Sequence, residues 1–410
     1  MRFKEQAAAA IGKGSRWASQ SGRLAMVAKG VKGSLARRMY YGVAVASMLY
    51  TVDVWGVPPI RSRGEGLHAE TVSKLESTQR RAATLATGGL RTTPTDLLFA
   101  HADMMPIRQL IESHCYRAAI RLASLHPSHP LYKITHRAAR SYPKRHPSPL
   151  NNILHIGKIK PHTLESIDPH PRHPHWIPPF VTSIPSTKEE ACQAELDDEA
   201  DVKIYTDGSG KDGHIGAAAI LYHGIRVPKT ARFHVGSSDQ HTVFEGEGIG
   251  QLLGLKLLRD TNRNLNGVEV SMYVDSHAAI KRHNSWTISS ADYIFKEIHK
   301  LASEIQTTYP NVKLKIRWTP GHLDIQGNEA ADAEAKKAAG NPNADVNARF
   351  GILARRLPVS PSAHLQKLKE AAKVKYSSNF REGPRFHRVA SFDPSMPSNK
   401  FIRSTAGLPR

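Results

Sequence analysis

The period of the apolar positions changes several times along the 410-residue chain. Up to about residue 125, apolar side chains recur every three or four residues over Ala7–Ile11, Val31–Tyr50 and Glu70–Ala86. Pro106–Leu125 does the same through Ile107, Leu110, Ile111 and Ile120. That spacing predicts amphipathic helices. Thr92-Thr93-Pro94-Thr95-Asp96 interrupts the pattern and starts a fresh helix.

Residues 201–340 read differently. Val202, Ile204 and Thr206 alternate with more polar neighbours, predicting a half-buried strand over 202–206. It delivers Asp207 to a glycine-rich turn at Gly208, Gly210 and Gly213. Ile215–Leu221 and Arg232–Val235 extend this into an antiparallel meander. A helix over about 243–258 carries Val243, Ile249, Leu252, Leu253 and Leu257. The strand Val268–Val274 then ends at Asp275. Helical pieces at about 276–283 and 289–308, the strand Val312–Trp318 and an Ala-rich helix at about 326–338 complete the region. This order predicts an α/β fold: a mixed five-stranded sheet with flanking helices, preceded by a mainly helical region over 1–125.

Between these regions, residues 126–180 hold 11 prolines and nine histidines, which predicts an extended linker over 126–200. His170, His173 and His175 alternate with prolines and have no Cys partner, so they read as solvated linker rather than a metal tract. Residues 341–410 read as a basic, partly disordered tail with one helix, His364–Tyr376.

Charge adds a partner class. The chain carries 57 Lys+Arg against 36 Asp+Glu, a net +21, yet residues 201–340 hold 17 basic and 16 acidic side chains. The excess lies in the flanks, where it suits a polyanion such as nucleic acid. Cys115 and Cys192 are too few for a disulfide framework or a Cys-rich zinc site. No apolar run approaches the ~18 residues of a membrane span. The expected setting is intracellular, nucleus or cytoplasm, not secreted, with no membrane partner.

Four carboxylates occupy telling positions. Asp207 and Asp275 each end a predicted strand, Glu247 lies in the first turns of a helix, and Asp332 lies in the last helix. If the first and fourth strands are parallel neighbours, their aspartates project at one sheet edge, where a crossing helix can add the glutamate. Clustered carboxylates repel one another and persist mainly where cations neutralise them. Hard oxygen donors suit Mg²⁺ or Mn²⁺, and two such ions can promote phosphodiester hydrolysis. His322, in Thr319-Pro320-Gly321-His322, is placed to shuttle a proton at neutral pH. Taken singly, each acid reads as a solvated surface carboxylate and His322 as an ordinary loop residue. Their combination is what points to a site.

Thr206-Asp207-Gly208-Ser209, Phe244-Glu245-Gly246-Glu247 with Gly254-Leu255, Val274-Asp275-Ser276, and Thr319-Pro320-Gly321-His322 with Gly327-Asn328-Glu329-Ala330-Ala331-Asp332 resemble the ordered motifs of ribonuclease H. The resemblance implies Asp207, Glu247, Asp275 and Asp332 as metal-binding carboxylates, with Glu247 preferred to Glu245, and His322 as the mobile loop histidine. It implies two Mg²⁺ or Mn²⁺ ions and cleavage of the RNA strand of an RNA–DNA hybrid, leaving 3′-hydroxyl and 5′-phosphate ends. It also implies nucleic-acid contacts by Gly208, Ser209, Ser276, His277 and Asn328, with His277 standing where the family often has an amide. Further upstream, Ser47-Met48-Leu49-Tyr50-Thr51 to Trp55, Glu76–Ala82 and Leu90–Pro94 resemble the segment after the polymerase palm of non-LTR retrotransposon polyproteins. With no Tyr/Phe-X-Asp-Asp motif, the chain reads as a C-terminal fragment of such a reverse transcriptase polyprotein, lacking the palm. Two rival readings are a catalytically silent nucleic-acid-binding retrotransposon relic and an integrase-like strand transferase, which needs only three acids.

Overall fold

The computed structural model describes every residue except 1–2, 26–30, 58–68, 144, 170–175, 262, 286, 322, 324, 344, 346 and 406–410. The chain forms two compact units. One comprises Met1–Ala123, His129–His162 and Leu365–Arg410, and the other Ser124–Ser128 and Thr163–His364.

The first unit is helical, as the three-to-four spacing predicts. Its helices include Lys4–Ala25, Ala69–Thr87, Thr95–Ala102 and Ile107–Ala123. Gly33–Met39 runs on through a wider π-helical turn, Tyr40–Val45, which buries Tyr40 completely.

The second unit holds a six-stranded mixed sheet in the order β1-β6-β5-β2-β3-β4. The strands are β1 Val181–Ser183, β2 Val202–Lys211, β3 His214–His223, β4 Lys229–Ser237, β5 Glu269–Val274 and β6 Lys313–Trp318. Strands β1, β6, β5 and β2 run parallel, while β2, β3 and β4 form the antiparallel meander. The α/β reading therefore holds, with one more strand than expected. Helices α1 Lys188–Leu196, α2 Val243–Arg259, α3 His277–His283, α4 Asp292–Thr308 and α5 Gln326–Gly340 accompany the sheet.

Two expectations are corrected. The segment 126–200 is not an extended linker, because it contains the helices Tyr132–Arg140 and Pro149–Ile156 together with α1 and β1. Its prolines delimit these elements rather than prevent them. Pro149 occupies the first turn after the Ser148 cap, where no backbone N–H is needed. The unit boundary accordingly falls inside this segment. Likewise, the tail contains a longer helix than expected, Pro361–Arg381. The three histidines read as solvated linker lie outside the described residues.

The second correction concerns Gly208 and Gly210, which do not form a turn. Strand β2 continues through them to Lys211, and the hairpin turns at Asp212 and Gly213, both at positive φ (50° and 75°). Gly208 instead serves helix packing. A β-carbon there would fall inside the van der Waals envelope of the Glu247 backbone nitrogen, so only glycine lets α2 lie this close to β2. Below that contact, α2 buries Ile249, Leu252, Leu253 and Leu257, and α4 adds Ile294, Phe295, Ile298, Leu301 and Ile305 to the same core. Tyr205 meets Gly327 of α5, so β2 is covered on both faces. Among the described residues, no helix is long and apolar enough to cross a membrane.

Gly208→Ala is expected to destabilise the second unit by about 1–3 kcal/mol, because overpacking a close backbone contact forces α2 outward. A lowered urea midpoint checks this, and an unchanged midpoint contradicts the packing role.

Candidate active site

Strand register places the first two acids. Thr206 of β2 pairs with Val274 of β5, so Asp207 and Asp275 follow side by side at the same ends of parallel neighbours. The Thr206 hydroxyl donates to the Tyr273 carbonyl at 3.2 Å and ties the strands just behind them. Beyond Asp275, Ser276 caps α3, its hydroxyl accepting the Ala279 N–H at 3.3 Å. The Trp318 indole donates to the Asp275 carbonyl at 3.1 Å.

Helix α2 supplies the third acid, and its cap decides which glutamate that is. Thr242 and Glu245 form a capping box, the Glu245 carboxylate accepting the Thr242 N–H at 2.8 Å. Glu245 is thereby committed to starting the helix. Glu247, two residues further round, projects toward the ends of β2 and β5. Carboxylate oxygens of Asp207, Glu247 and Asp275 all lie within 4.8 Å of one another.

Asp207 and Glu247 are each 6% exposed, and Asp275 is half-buried. Oδ2 of Asp207 and Oε2 of Glu247 have no hydrogen-bond partner among the described residues. Burial first, then the charges of Asp275 and Asp332, push the Asp207 carboxyl up to about 7, against an opposing pull from the Gly208 backbone and Lys336. Burial, followed by Asp275 and Asp207, holds the Glu247 proton affinity well above the ordinary carboxylate range. Such a group either retains protons or takes up a cation. Carboxylate oxygens converging from three elements, two of them buried without hydrogen-bond partners among the described residues, fit a hard divalent ion such as Mg²⁺ or Mn²⁺.

A cavity of about 270 Å³ opens over the three acids. Gly208, Ser209, Asn328 and Asp332 line it, together with Gly321 and Glu329. Asn328 is 4% exposed and its side-chain oxygen lacks a partner. Asp332 shares the cavity but does not join the three-acid group, and its Oδ2 accepts from Lys336 Nζ at 2.6 Å. A side chain at Gly321 would stand 3.3 Å from Asp275 Oδ2, so the loop after β6 begins beside the acids. His322 itself lies outside the described residues. Ser276 and His277 do not line the cavity. The Ser276 hydroxyl is used in the cap, and the exposed His277 ring rests 4.1 Å from that of Trp318.

Sequence reasoning missed Lys336 and Glu165. The first was visible as a lysine four residues beyond Asp332 on one helix. The second had no sequence signal. Glu165 is 2% exposed and accepts from Ser290 Oγ at 2.7 Å and from the Ala291 N–H at 2.9 Å, joining the preceding segment to the start of α4.

The family model described as RNase H matches residues 199–340. No curated protein matches the chain. Similar solved structures include RNase H1 from the halophilic archaeon Halobacterium salinarum NRC-1, at 20% identity, covering 33% of this chain and 96% of that one, with a TM-score of 0.26. The N-terminal RNase H domain of a Mycobacterium tuberculosis protein is 17% identical, covering 35% and 95%, with a TM-score of 0.26. LC11-RNase H1 in complex with an RNA/DNA hybrid is 16% identical, covering 33% and 98%, with a TM-score of 0.27.

The raised Asp207 affinity carries a sign. A folded-state carboxyl near 7 against an unfolded value near 3.8 means that folding is favoured below about 4 and progressively disfavoured as pH rises to about 7. Without divalent ions, Asp207→Asn should therefore exceed wild type in stability by roughly 2 kcal/mol at pH ~8 and lose that advantage near pH ~4. Urea midpoints at the two pH values test this. A variant less stable than wild type at the higher pH contradicts it.

Proposed function

We propose, from residues 199–340 being a ribonuclease H domain and hence a hydrolase unit, that this chain is a metal-dependent endonuclease cutting the RNA strand of RNA–DNA hybrids. The observation that carries the reading is the convergence of Asp207, Glu247 and Asp275 from a strand, a helix and a second strand end, with Oδ2 of Asp207 and Oε2 of Glu247 buried and partnerless among the described residues. These residues would hold one divalent ion, and Asp332 with Asp207 a second. When bound, the ions supply Lewis acidity that lowers the pKa of water and stabilises charge on the scissile phosphate.

The remaining roles belong to the chain. The tie between Thr206 and Tyr273 and the cap of α3 fix Asp207 and Asp275 before substrate arrives, so little reorganisation is needed on binding. Gly208 and Ser209 let a phosphodiester backbone approach the acids closely. The partnerless Asn328 oxygen is an acceptor suited to a hydroxyl donor, as a ribose 2′-hydroxyl provides and deoxyribose does not. His322 moves a proton to the departing 3′-oxygen, giving 3′-hydroxyl and 5′-phosphate ends. Outside residues 201–340, the excess of Lys and Arg adds salt-sensitive, sequence-independent affinity. The likeness of 47–55, 76–82 and 90–94 to the post-palm segment supports a non-LTR retrotransposon setting for the activity.

The test is cleavage of an end-labelled hybrid with Mg²⁺, alongside double-stranded DNA and double-stranded RNA. The hybrid alone should be cut, in its RNA strand. Asp275→Asn should lower the rate at least about a thousandfold and His322→Ala about ten- to a hundredfold. Equal cleavage by wild type and Asp275→Asn would overturn the assignment. Binding of hybrid without any cleavage by wild type would favour a silent nucleic-acid-binding relic.

A further inference from the structure

Among the described residues five carboxylates line the cavity, Asp207, Glu247, Asp275, Glu329 and Asp332, yet only the first three converge. Asp332 stands apart from them and pairs instead with the ammonium of Lys336, one helical turn on along α5, at 2.6 Å from Asp332 Oδ2. The Asp332 side chain is 22% exposed and that of Lys336 49%, so the lysine reaches inward from solvent to the rim of the cavity. Both members of the pair act on Asp207 electrostatically, Asp332 raising its proton affinity and Lys336 lowering it. Glu329, a further lining residue, also attracts the ammonium. A monovalent cation on a flexible stem thus stands at the more exposed Asp332, whereas Asp207 Oδ2 and Glu247 Oε2 are buried with no hydrogen-bond partner among the described residues.

We propose that Lys336 is a tethered counter-cation for Asp332, and that a divalent ion bridging Asp332 and Asp207 must first displace it. The inference rests on the reading of the cavity as a divalent-cation site. It makes the two cation positions unequal. The position of Asp207, Glu247 and Asp275 is ready as built, whereas the position involving Asp332 is contested. An exposed pair at this spacing is weak enough to yield to a dication, and a lysine holds its partner as a point charge that can swing away. Lys336 is therefore a positioning residue, setting how much divalent ion the second position needs. In its absence Asp332 would be uncompensated and would attract a dication more strongly.

The experiment is Mn²⁺ titration of the full chain at neutral pH without nucleic acid, followed by calorimetry and by the electron paramagnetic resonance signal of free Mn²⁺. Wild type should show a tighter and a weaker class of site. Lys336→Met should tighten the weaker class about three- to tenfold and change the tighter one by less. Lys336→Arg, which keeps the charge, should resemble wild type, and Asp332→Asn should lose the weaker class. Lys336→Gln serves in place of the methionine variant if circular dichroism shows that the latter is misfolded. A weaker class that is unchanged or weakened in a folded charge-removing variant overturns the role of Lys336 while leaving the three-acid site intact. Absence of the tighter class from wild type overturns the underlying cation-site reading instead.

Discussion

Repulsion between carboxylates is the constraint on which the second unit is built. Asp207, Glu247 and Asp275 are brought within 4.8 Å, the first two of them buried, where like charges are screened little. Nothing about that arrangement favours folding by itself. It is held by features that would be stable without it: the parallel β2–β5 register, the Thr206 tie, and the apolar flank of α2 pressed onto β2. Gly208 sets how close that flank comes, and so how near Glu247 stands to the two aspartates. The acids are thus positioned by their neighbours rather than by any attraction among themselves. A scaffold that tolerates such strain at one end is what a preorganised site requires.

Much of the sheet was legible because its periodicity is strong. The observed β5, β6 and α2 begin and end within a residue or two of the expected bounds, and the parallel pairing that brings Asp207 beside Asp275 follows from the element order. Glu247 was separable from Glu245 only by analogy in the sequence, whereas the Thr242 capping box gives a physical reason. The glycines after Asp207 misled, because a residue without a side chain serves equally for a turn and for a close helix–strand approach. Strand β1 was invisible for another reason. Three residues with an exposed Val181, just after a run of prolines, have neither the length nor the alternation that a strand signal needs. Asp332 illustrates a last limit: its place on α5 and a lysine one turn on were foreseeable, but their engagement depends on the rotamer of the long Lys336 side chain.

The segment before β2 also shapes the unit chemically. Glu165 reaches the N-terminus of α4, where its carboxylate gathers the Ser290 hydroxyl and the Ala291 N–H. Burial raises its proton affinity to about 7 despite those two donors. Asp168 pairs with Lys296 at 2.7 Å on the same helix. Helix α1 adds polar anchors to the sheet, with Glu195 accepting from the Tyr205 hydroxyl and Asp198, just beyond the helix, accepting from that of Tyr273. Since β2 and β5 carry Tyr205 and Tyr273 two positions before Asp207 and Asp275, the anchors act on the same two strands as the acids.

Strand β1 gives this attachment a practical meaning. It lies along β6 as the outermost strand, pairing Val181 with Lys315 and Ser183 with Arg317. A sheet margin left without its neighbour presents a row of backbone donors and acceptors that other chains can zip onto. The stretch matching the family model starts at residue 199, whereas the compact unit takes in everything from Thr163. Trimming the polypeptide to the family boundary would remove β1 and α1 together and lay bare the flank of β6. For this molecule, the stretch that matches the family model and the stretch that completes its sheet have different beginnings.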